Sequence, residues 1–181
     1  MAKVTWWVSS LPSETLAVLS DAALLETIKT SLATTRVLRR GGDLPAVGRM
    51  WENNVLALHV YGGLACIEAS HRRGLDDDSF AEFGTPGKKM AADGVQFEMP
   101  PWYQDEDVQI SHIAGIQREG LWRNEEARIE LDEEDEFWPM LWPVATEDGG
   151  YELMVSKKDR EAMAVDDLWL PDEVRSRVVN L

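Results

Sequence analysis

The stretch VLALHVYGGLACI, residues 55–67, is the longest apolar run in the chain and decides the fold. His59 interrupts it, and it is shorter than the ~20 apolar residues that a membrane-spanning helix needs. Because the run is apolar on every face of a helix, we expect a buried helix at the centre of the core. This helix is predicted to run from about Ala46 to Arg73 and to end at Gly74, a residue typical of helix C-termini.

Two adjacent glycines, Gly62 and Gly63, lie inside this predicted helix. Each is about 1 kcal/mol less favourable there than alanine. A second helix that crosses closely at this point would explain why side chains are missing. The glycine pair therefore predicts a helix–helix contact.

On either side of the central helix in the sequence, the spacing of apolar residues and the turn residues predict further helices and one hairpin. Residues 20–38 form a helix that buries Leu24, Ile28 and Leu32, and a second helix starts at the acids 105–107, which complement the positive helix end. Residues 75–100 are loop-rich, and residues 143–156 form a hairpin around Gly149. The prediction is a mainly α, compact single-domain helical bundle with a short C-terminal β-hairpin. A helical part, 1–145, is followed by a hairpin and tail, 146–181, that pack on it or extend from it.

Charge is distributed unevenly along the chain, whose net charge is −15. Residues 1–49 carry six Lys or Arg against four Asp or Glu, whereas residues 101–181 carry eight against twenty-one. Nucleic-acid binders normally carry a basic stripe that neutralises phosphates. The balance predicts weak or no DNA binding and favours a basic partner. Only the arginines of the first half could build a basic groove: Arg36, Arg39, Arg40, Arg49, Arg72 and Arg73.

The chemistry of the usual active sites is not visible in the sequence. The three histidines are not spaced to meet on one helical turn, and Cys66 is the only cysteine. A zinc site needs three or four ligands, so we expect no metal and no cofactor. His59 and His112 are predicted to be packed, hydrogen-bonded residues. One cysteine, no signal peptide and no membrane span together predict a soluble, cytoplasmic protein.

Two segments combine acids with aromatic residues and are the candidate partner-binding residues. In the first, five acids precede Phe137 and Trp138, which favours either a solvated loop or a docking surface: Asp132, Glu133, Glu134, Asp135, Glu136 and Trp138. In a third interpretation these acids imitate DNA phosphates. The second segment is DLWLP, which either covers the core or binds a partner pocket: Asp167, Leu168, Trp169, Leu170 and Pro171.

The DLWLP segment also resembles the Leu-x-Leu-Pro peptides that bacterial replication proteins insert into the sliding clamp. It departs from them where Asp167 replaces the usual glutamine. A protein that occupied the clamp would block replication.

Four blocks occur in an order that resembles the pyrimidine-dimer DNA glycosylases of the phage endonuclease V type. They are VLSDAALLETIKTSLATTRVL (18–38), LPAVGRMWENNVLALHVYGGLACIEASHRRG (44–74), PPWYQDEDVQISHIAGIQR (100–118) and FWPMLWPV (137–144). The resemblance covers roughly residues 15–145 and implies a compact, mostly helical fold. Its most specific pieces are Met50-Trp51, Arg73-Gly74, Pro100-Pro101-Trp102, Ser111-His112 and Trp142-Pro143.

That family's chemistry needs an amine nucleophile, a glutamate that handles protons, and arginines that hold phosphates around a flipped base. The resemblance places a basic face on the first long helix, yet Lys29 is its only basic residue before Arg36. An N-terminal threonine amine is also missing, because removal of Met1 would expose Ala2. We therefore predict no catalytic residues.

The leading interpretation is a degenerate, phage-derived relative of this family that is catalytically inactive. It would act by binding a host or phage protein, such as a basic DNA-binding protein or the replication sliding clamp, and could inhibit it. The alternatives are an active DNA glycosylase or nuclease that uses the basic groove, and a DNA mimic.

Overall fold

The computed structural model describes residues 5–41, 46–72, 79–164 and 168–179. The protein is mainly α-helical with a small sheet near its C-terminus, which confirms the predicted fold class. The helices are α1 (Pro12–Val18), α2 (Asp21–Arg40), α3 (Ala46–Arg49), α4 (Val55–His71), α5 (Phe80–Ala92), α6 (Glu106–Glu119), α7 (Lys157–Met163) and α8 (Asp172–Arg175). The strands are β1 (Leu141–Ala145), β2 (Tyr151–Val155) and β3 (Val178–Val179), and two 3₁₀ turns span Glu125–Ala127 and Asp135–Phe137.

The central helix is α4, which contacts α1, α2 and α5. It buries Leu58, Tyr61 and Ala65 and was predicted from the apolar run. Burial does not extend all round it, since Val60 and Ile67 are exposed on one side.

One long helix from 46 to 73 was a wrong prediction, because the chain turns between α3 and α4. The Met50 carbonyl accepts a hydrogen bond from the indole N–H of Trp102 at 2.9 Å, and the Asn54 side chain donates to the Glu98 carbonyl at 3.3 Å. Asn53 and Asn54 are also weak helix formers. The Asn54 N–H bonds to the Trp51 carbonyl at 2.9 Å, whereas a continuous helix would bond it to the Met50 carbonyl that Trp102 occupies. The predicted end, Arg73–Gly74, lies outside the described residues.

Helix α2 agrees with its prediction in position and in the face that it buries. Its N-cap is Ser20, whose hydroxyl accepts from the Ala23 N–H at 3.3 Å. Leu24, Ile28 and Leu32 are buried.

The close crossing predicted from the glycine pair exists at Gly62 and not at Gly63. A Cβ atom on Gly62 would lie 2.3 Å from Phe83 Cε1 and 2.8 Å from Ser31 Cβ, whereas one on Gly63 would meet only Phe83 Cβ at 3.8 Å. Both α2 and α5 therefore approach α4 at Gly62.

Helix α5 lies in the stretch that was predicted to be loop-rich, so that prediction was wrong for residues 80–92. The sequence around Pro86 contains typical helix breakers. Tertiary packing overrides them: Phe83 and Met90 are buried, the His59 ring bonds to the Phe83 carbonyl, and a Cβ atom on Gly87 would lie only 2.9 Å from His59 Cδ2.

A cluster of large aromatic side chains fills the middle of the core. Trp7 comes from the N-terminal segment, Trp51 from the α3–α4 turn, Tyr61 from α4 and Trp102 from the loop before α6. In five of the six pairs among these rings, the centroids lie 5.1–6.0 Å apart. The cluster joins distant parts of the chain.

The predicted hairpin is present, with β1 antiparallel to β2 and Gly149 at φ 85° in the turn between them. Strand β3 adds to β2 in parallel. The buried core also includes residues beyond 145, namely Leu153, Val155, Leu170 and Val174. The described tail therefore packs on the helical part.

Candidate functional site

The acidic run lies in the connection between α6 and β1, at the 3₁₀ turn Asp135–Phe137. Asp132, Glu133 and Glu134 are exposed, and none of the three forms an ion pair with another described residue. All three carboxylates therefore face solvent.

The other two acids are partly engaged with the protein. Glu136 accepts from the Gln117 amide at 2.6 Å and lies 3.9 Å from Arg128, so it fastens the turn to its surroundings. Burial, together with the charges of Asp132 and Glu134, raises the pKa of Asp135. The acidic run therefore divides into three solvent-facing carboxylates and two that help to hold the turn.

The two aromatic residues that follow the acids point in opposite directions. Trp138 is 3% exposed and belongs to the core, and the Arg118 guanidinium donates to its carbonyl. As folded, Trp138 is not available for a partner, which corrects its prediction as a contact residue. Phe137, which was not predicted, is 54% exposed. In the sequence, only its position next to the acidic run could have suggested Phe137 as a contact residue.

The tail lies against the same turn. The backbone N–H of Trp169 donates to the Phe137 carbonyl at 2.8 Å. Trp169 is 41% exposed, whereas Leu170 is 1% exposed and packs in the core. Leu168 and Pro171 are half-buried, and Asp167 lies outside the described residues. Leu170, like Trp138, is therefore a core residue and not a surface contact.

The exposed residues of these two segments form the candidate surface that we call the acidic–aromatic surface: Asp132, Glu133, Glu134, Phe137 and Trp169. The backbone bond between Trp169 and Phe137 brings its two segments together although they are far apart in sequence. Half-exposed aromatic rings beside unpaired carboxylates suit a partner that supplies both apolar contacts and positive charge.

The residue pair Ser111-His112, one of those that carry the family resemblance, is buried in α6. The Ser111 hydroxyl donates to the Val108 carbonyl at 3.1 Å and accepts from the Leu141 N–H at 3.0 Å. His112 Nδ1 accepts from the Trp7 N–H at 2.9 Å, and Nε2–H donates to the Leu141 carbonyl at 3.2 Å. Burial lowers the pKa of His112 to about 4. Both residues connect secondary structure elements and face no open cleft.

The six arginines do not line one groove. Arg72 is buried and donates to the carbonyls of Leu16, Ala17 and Leu19, so it holds the end of α1. Arg36 pairs with Glu82 on α5. Arg73 lies outside the described residues. The groove that was considered as a DNA footprint therefore lacks Arg72.

No cluster of three or more His, Cys, Asp or Glu that could hold a metal ion is found within the described residues. In the same part of the chain, no helix combines the length and apolar character needed to cross a membrane. No protein-family model, curated protein or solved structure matches the chain. The resemblance to pyrimidine-dimer glycosylases therefore stays a prediction.

Proposed function

We propose that this protein acts by binding another protein through the acidic–aromatic surface. The observation that carries the proposal is the backbone bond between Trp169 and the Phe137 carbonyl, which joins the segment of the exposed Trp169 to the segment of the exposed Phe137 and the three unpaired acids. Aromatic residues are enriched among the few side chains that supply most binding energy at interfaces. The acids would steer a basic partner and set its orientation.

The partner we propose is a basic protein of the host or of a phage, for instance one that binds DNA. Nucleic acid itself is disfavoured, because twenty-one acids in residues 101–181 repel phosphates. A DNA mimic is a second candidate and is favoured only by the exposed acids. Two of the five acids are half-buried, so the run offers only a short row of phosphate-like charges.

The sliding clamp is a less suitable partner for the tail. The clamp-binding pattern would need both leucines of the DLWLP segment to leave the protein, yet Leu170 is packed in the core and α8 follows directly. Binding in that mode would require the tail to unfold. Among the described residues of the DLWLP segment, only Trp169 is exposed and available as an anchor.

We also propose that the chain is a degenerate relative of the pyrimidine-dimer DNA glycosylases in which only the scaffold is shared. The supporting observation is that six of the residues that carry the resemblance lie in the core, although Pro101 is exposed: Met50, Trp51, Trp102, Ser111, His112 and Trp142 are all buried. Core residues preserve a fold and need not preserve an activity. An active glycosylase would have to use other residues.

The test is affinity capture from cell extract with two matched double variants, repeated at low and high salt. Phe137→Ala with Trp169→Ala should lose a specific partner, because both anchors are removed. Phe97→Ala with Phe80→Ala should retain it, since these residues are equally exposed but lie outside the surface. Partner loss in both variants, or in neither, would refute the proposed surface.

The comparison of low and high salt distinguishes the contribution of charge from that of the aromatic rings. A partner held by charge alone should wash off at high salt, because exposed charges are screened beyond the Debye length of about 3 Å at 1 M. A partner anchored by the aromatic rings should remain in part. Both variants should unfold at the temperature of the wild type, since none of the four residues is buried.

A further inference from the structure

An open groove of about 440 Å³ runs between α4 and α5. The two helices are antiparallel here, since His59 lies against Gly87 whereas Gly62, further along α4, lies against Phe83, earlier in α5. The lining is almost entirely apolar and includes Leu56, Val60, Leu64 and Ile67 from α4 and Phe80 and Ala91 from α5.

Three large apolar side chains of this groove are exposed to solvent, namely Val60, Ile67 and Phe80. They are three of the eight large apolar side chains that the described residues expose, so exposed apolar surface is concentrated here. A contiguous exposed apolar patch marks a place where another molecule binds.

The shape of the groove suits a helix. Leu56, Val60 and Ile67 lie on one side of α4, because they are spaced by four and seven residues. At 1.5 Å per residue, Leu56 and Ile67 are about 16 Å apart along the axis, which corresponds to three helical turns. An apolar groove of this length between two helices is the site that an amphipathic helix occupies in helix-in-groove recognition.

Two glycines of the lining support a helical occupant. A Cβ atom on Gly84 would meet nothing within 4 Å, and one on Gly63 would meet only Phe83 Cβ at 3.8 Å, so packing inside the protein requires neither glycine. Alanine would be more favourable by about 1 kcal/mol at each position in a helix. Without side chains at these two positions, the backbone of a further helix can approach closely.

The charge of the lining defines the chemistry of that helix. No described residue that lines the groove is acidic, and Lys88 is the only fully charged one, since burial lowers the pKa of His59 and keeps its ring neutral. Lys88 is exposed and forms no ion pair with a described residue. An occupant with an acid beside Lys88 is therefore complementary in charge. A second copy packed face to face would bring another Lys88 and no acid, and each chain has a net charge of −15.

We propose that the groove between α4 and α5 binds an acidic amphipathic helix of a second protein. Apolar residues spaced i, i+4 and i+7 on that helix would cover Val60, Ile67 and Phe80, and an Asp or Glu on its flank would pair with Lys88. The groove shares no residue with the acidic–aromatic surface, so this proposal does not rest on the function proposed above. With both surfaces, the protein would join an acidic helix to a basic partner.

The test is a selection of peptides from a phage-displayed library, with the full chain as bait. The library holds helix-forming peptides of about fifteen residues, roughly four turns, with randomised surface positions. Peptides that also bind Ile67→Glu protein are removed, because they bind elsewhere. The expected result is a family of peptides with apolar residues at i, i+4 and i+7 and an acid on the flank. Fluorescence anisotropy of one labelled member then gives its affinity.

Three variants assign the binding of that peptide to the groove. Ile67→Glu should weaken it by about tenfold or more, because a charge replaces an apolar anchor. Lys88→Glu should weaken it by about fivefold or more and should favour a peptide in which lysine replaces the acid. Val95→Glu, which changes an exposed apolar residue outside the groove, should have little effect.

Gly84→Leu separates a role in binding from a role in folding. The added side chain has room and favours the helix, so the unfolding temperature should be unchanged or higher. The leucine would nevertheless occupy the groove, and the affinity of the peptide should fall by about tenfold or more. A glycine needed only for the fold would give the opposite pattern.

Four results would overturn the proposal. They are a selection without any peptide sensitive to Ile67→Glu, selected peptides that lack an acid, an affinity that Lys88→Glu leaves unchanged, and full binding by Gly84→Leu. Analytical ultracentrifugation of the protein alone tests the competing occupant. A dimer that Ile67→Glu dissociates would show that a second copy covers the groove.

Discussion

His112 connects three segments of the protein through its two ring nitrogens. It lies on α6, accepts from the N-terminal segment at Trp7 and donates to β1 at Leu141. The bond from Trp7 requires the neutral ring, because a charged imidazole has two donors and no acceptor, whereas the bond to the Leu141 carbonyl can be donated by either form. The protonation state of this one residue is therefore linked to folding.

This linkage gives a pH-dependent stability. The pKa of His112 is lowered from 6.5 to about 4 by burial, so between these values the unfolded chain binds a proton that the folded chain does not. The free energy of unfolding should thus fall as pH drops through this window, by up to about 1.4 kcal/mol per pH unit from this residue. His112→Gln should flatten the slope by about that amount in urea unfolding at a series of pH values.

Other groups that titrate in this window, His59 among them, are present in both proteins, so the difference in slope isolates His112. The variant should also be less stable at pH 7, by about 1–3 kcal/mol, because buried bonds are lost. If wild type and variant keep the same slope between pH 4 and 6.5, His112 does not titrate as described.

Helices α2 and α6 were predictable because their apolar residues recur with helical period and their ends carry recognisable caps. Helix α4 was predictable from its long apolar run, but its start was not. The turn between α3 and α4 was not, because the bonds that create it come from Trp102 and Glu98, far along the chain. Helix α5 was missed for a related reason. Its glycines and Pro86 indicate a loop locally, and only contact with His59 and α4 makes the helix favourable.

The adjacent glycines of α4 allow a matched pair of substitutions that tests how the helices pack. Gly62→Ala should destabilise the fold by about 1–3 kcal/mol, because its Cβ would overlap the Phe83 ring and Ser31. Gly63→Ala should stabilise it by about 0.5–1 kcal/mol, because its Cβ has room and alanine favours the helix. Chemical denaturation of both variants is the measurement. Shifts of the same sign would contradict the helix crossing at Gly62.

At the scale of the whole molecule, charge is concentrated in the second half of the chain, where residues 101–181 carry twenty-one acids that oppose DNA binding. The sequence shows this imbalance directly. It did not predict that Trp169 and Phe137 meet while Trp138 and Leu170 are buried, because alternation of neighbouring side chains in irregular segments leaves no periodic pattern.

The molecule as a whole should lack lyase chemistry. Incubation with abasic and dimer-containing duplex DNA in the presence of borohydride should trap no covalent adduct, because the basic face of α2 is reduced to Lys29 before Arg36. An active glycosylase of the resembled family serves as the positive control. Strand incision, or an adduct that disappears when Lys29 or Lys3 is changed, would show that the chain is an enzyme.

The central claim is that the acidic–aromatic surface binds a protein, and site-specific photocrosslinking tests it most directly. A photoreactive phenylalanine analogue replaces Phe137 in one protein and the equally exposed Phe97 in a control. In cell extract, position 137 should yield one discrete crosslinked protein, and neutralising Asp132, Glu133 and Glu134 to their amides should weaken it. Position 97 should not yield that product. No product at 137, or the same products at both positions, would contradict the account.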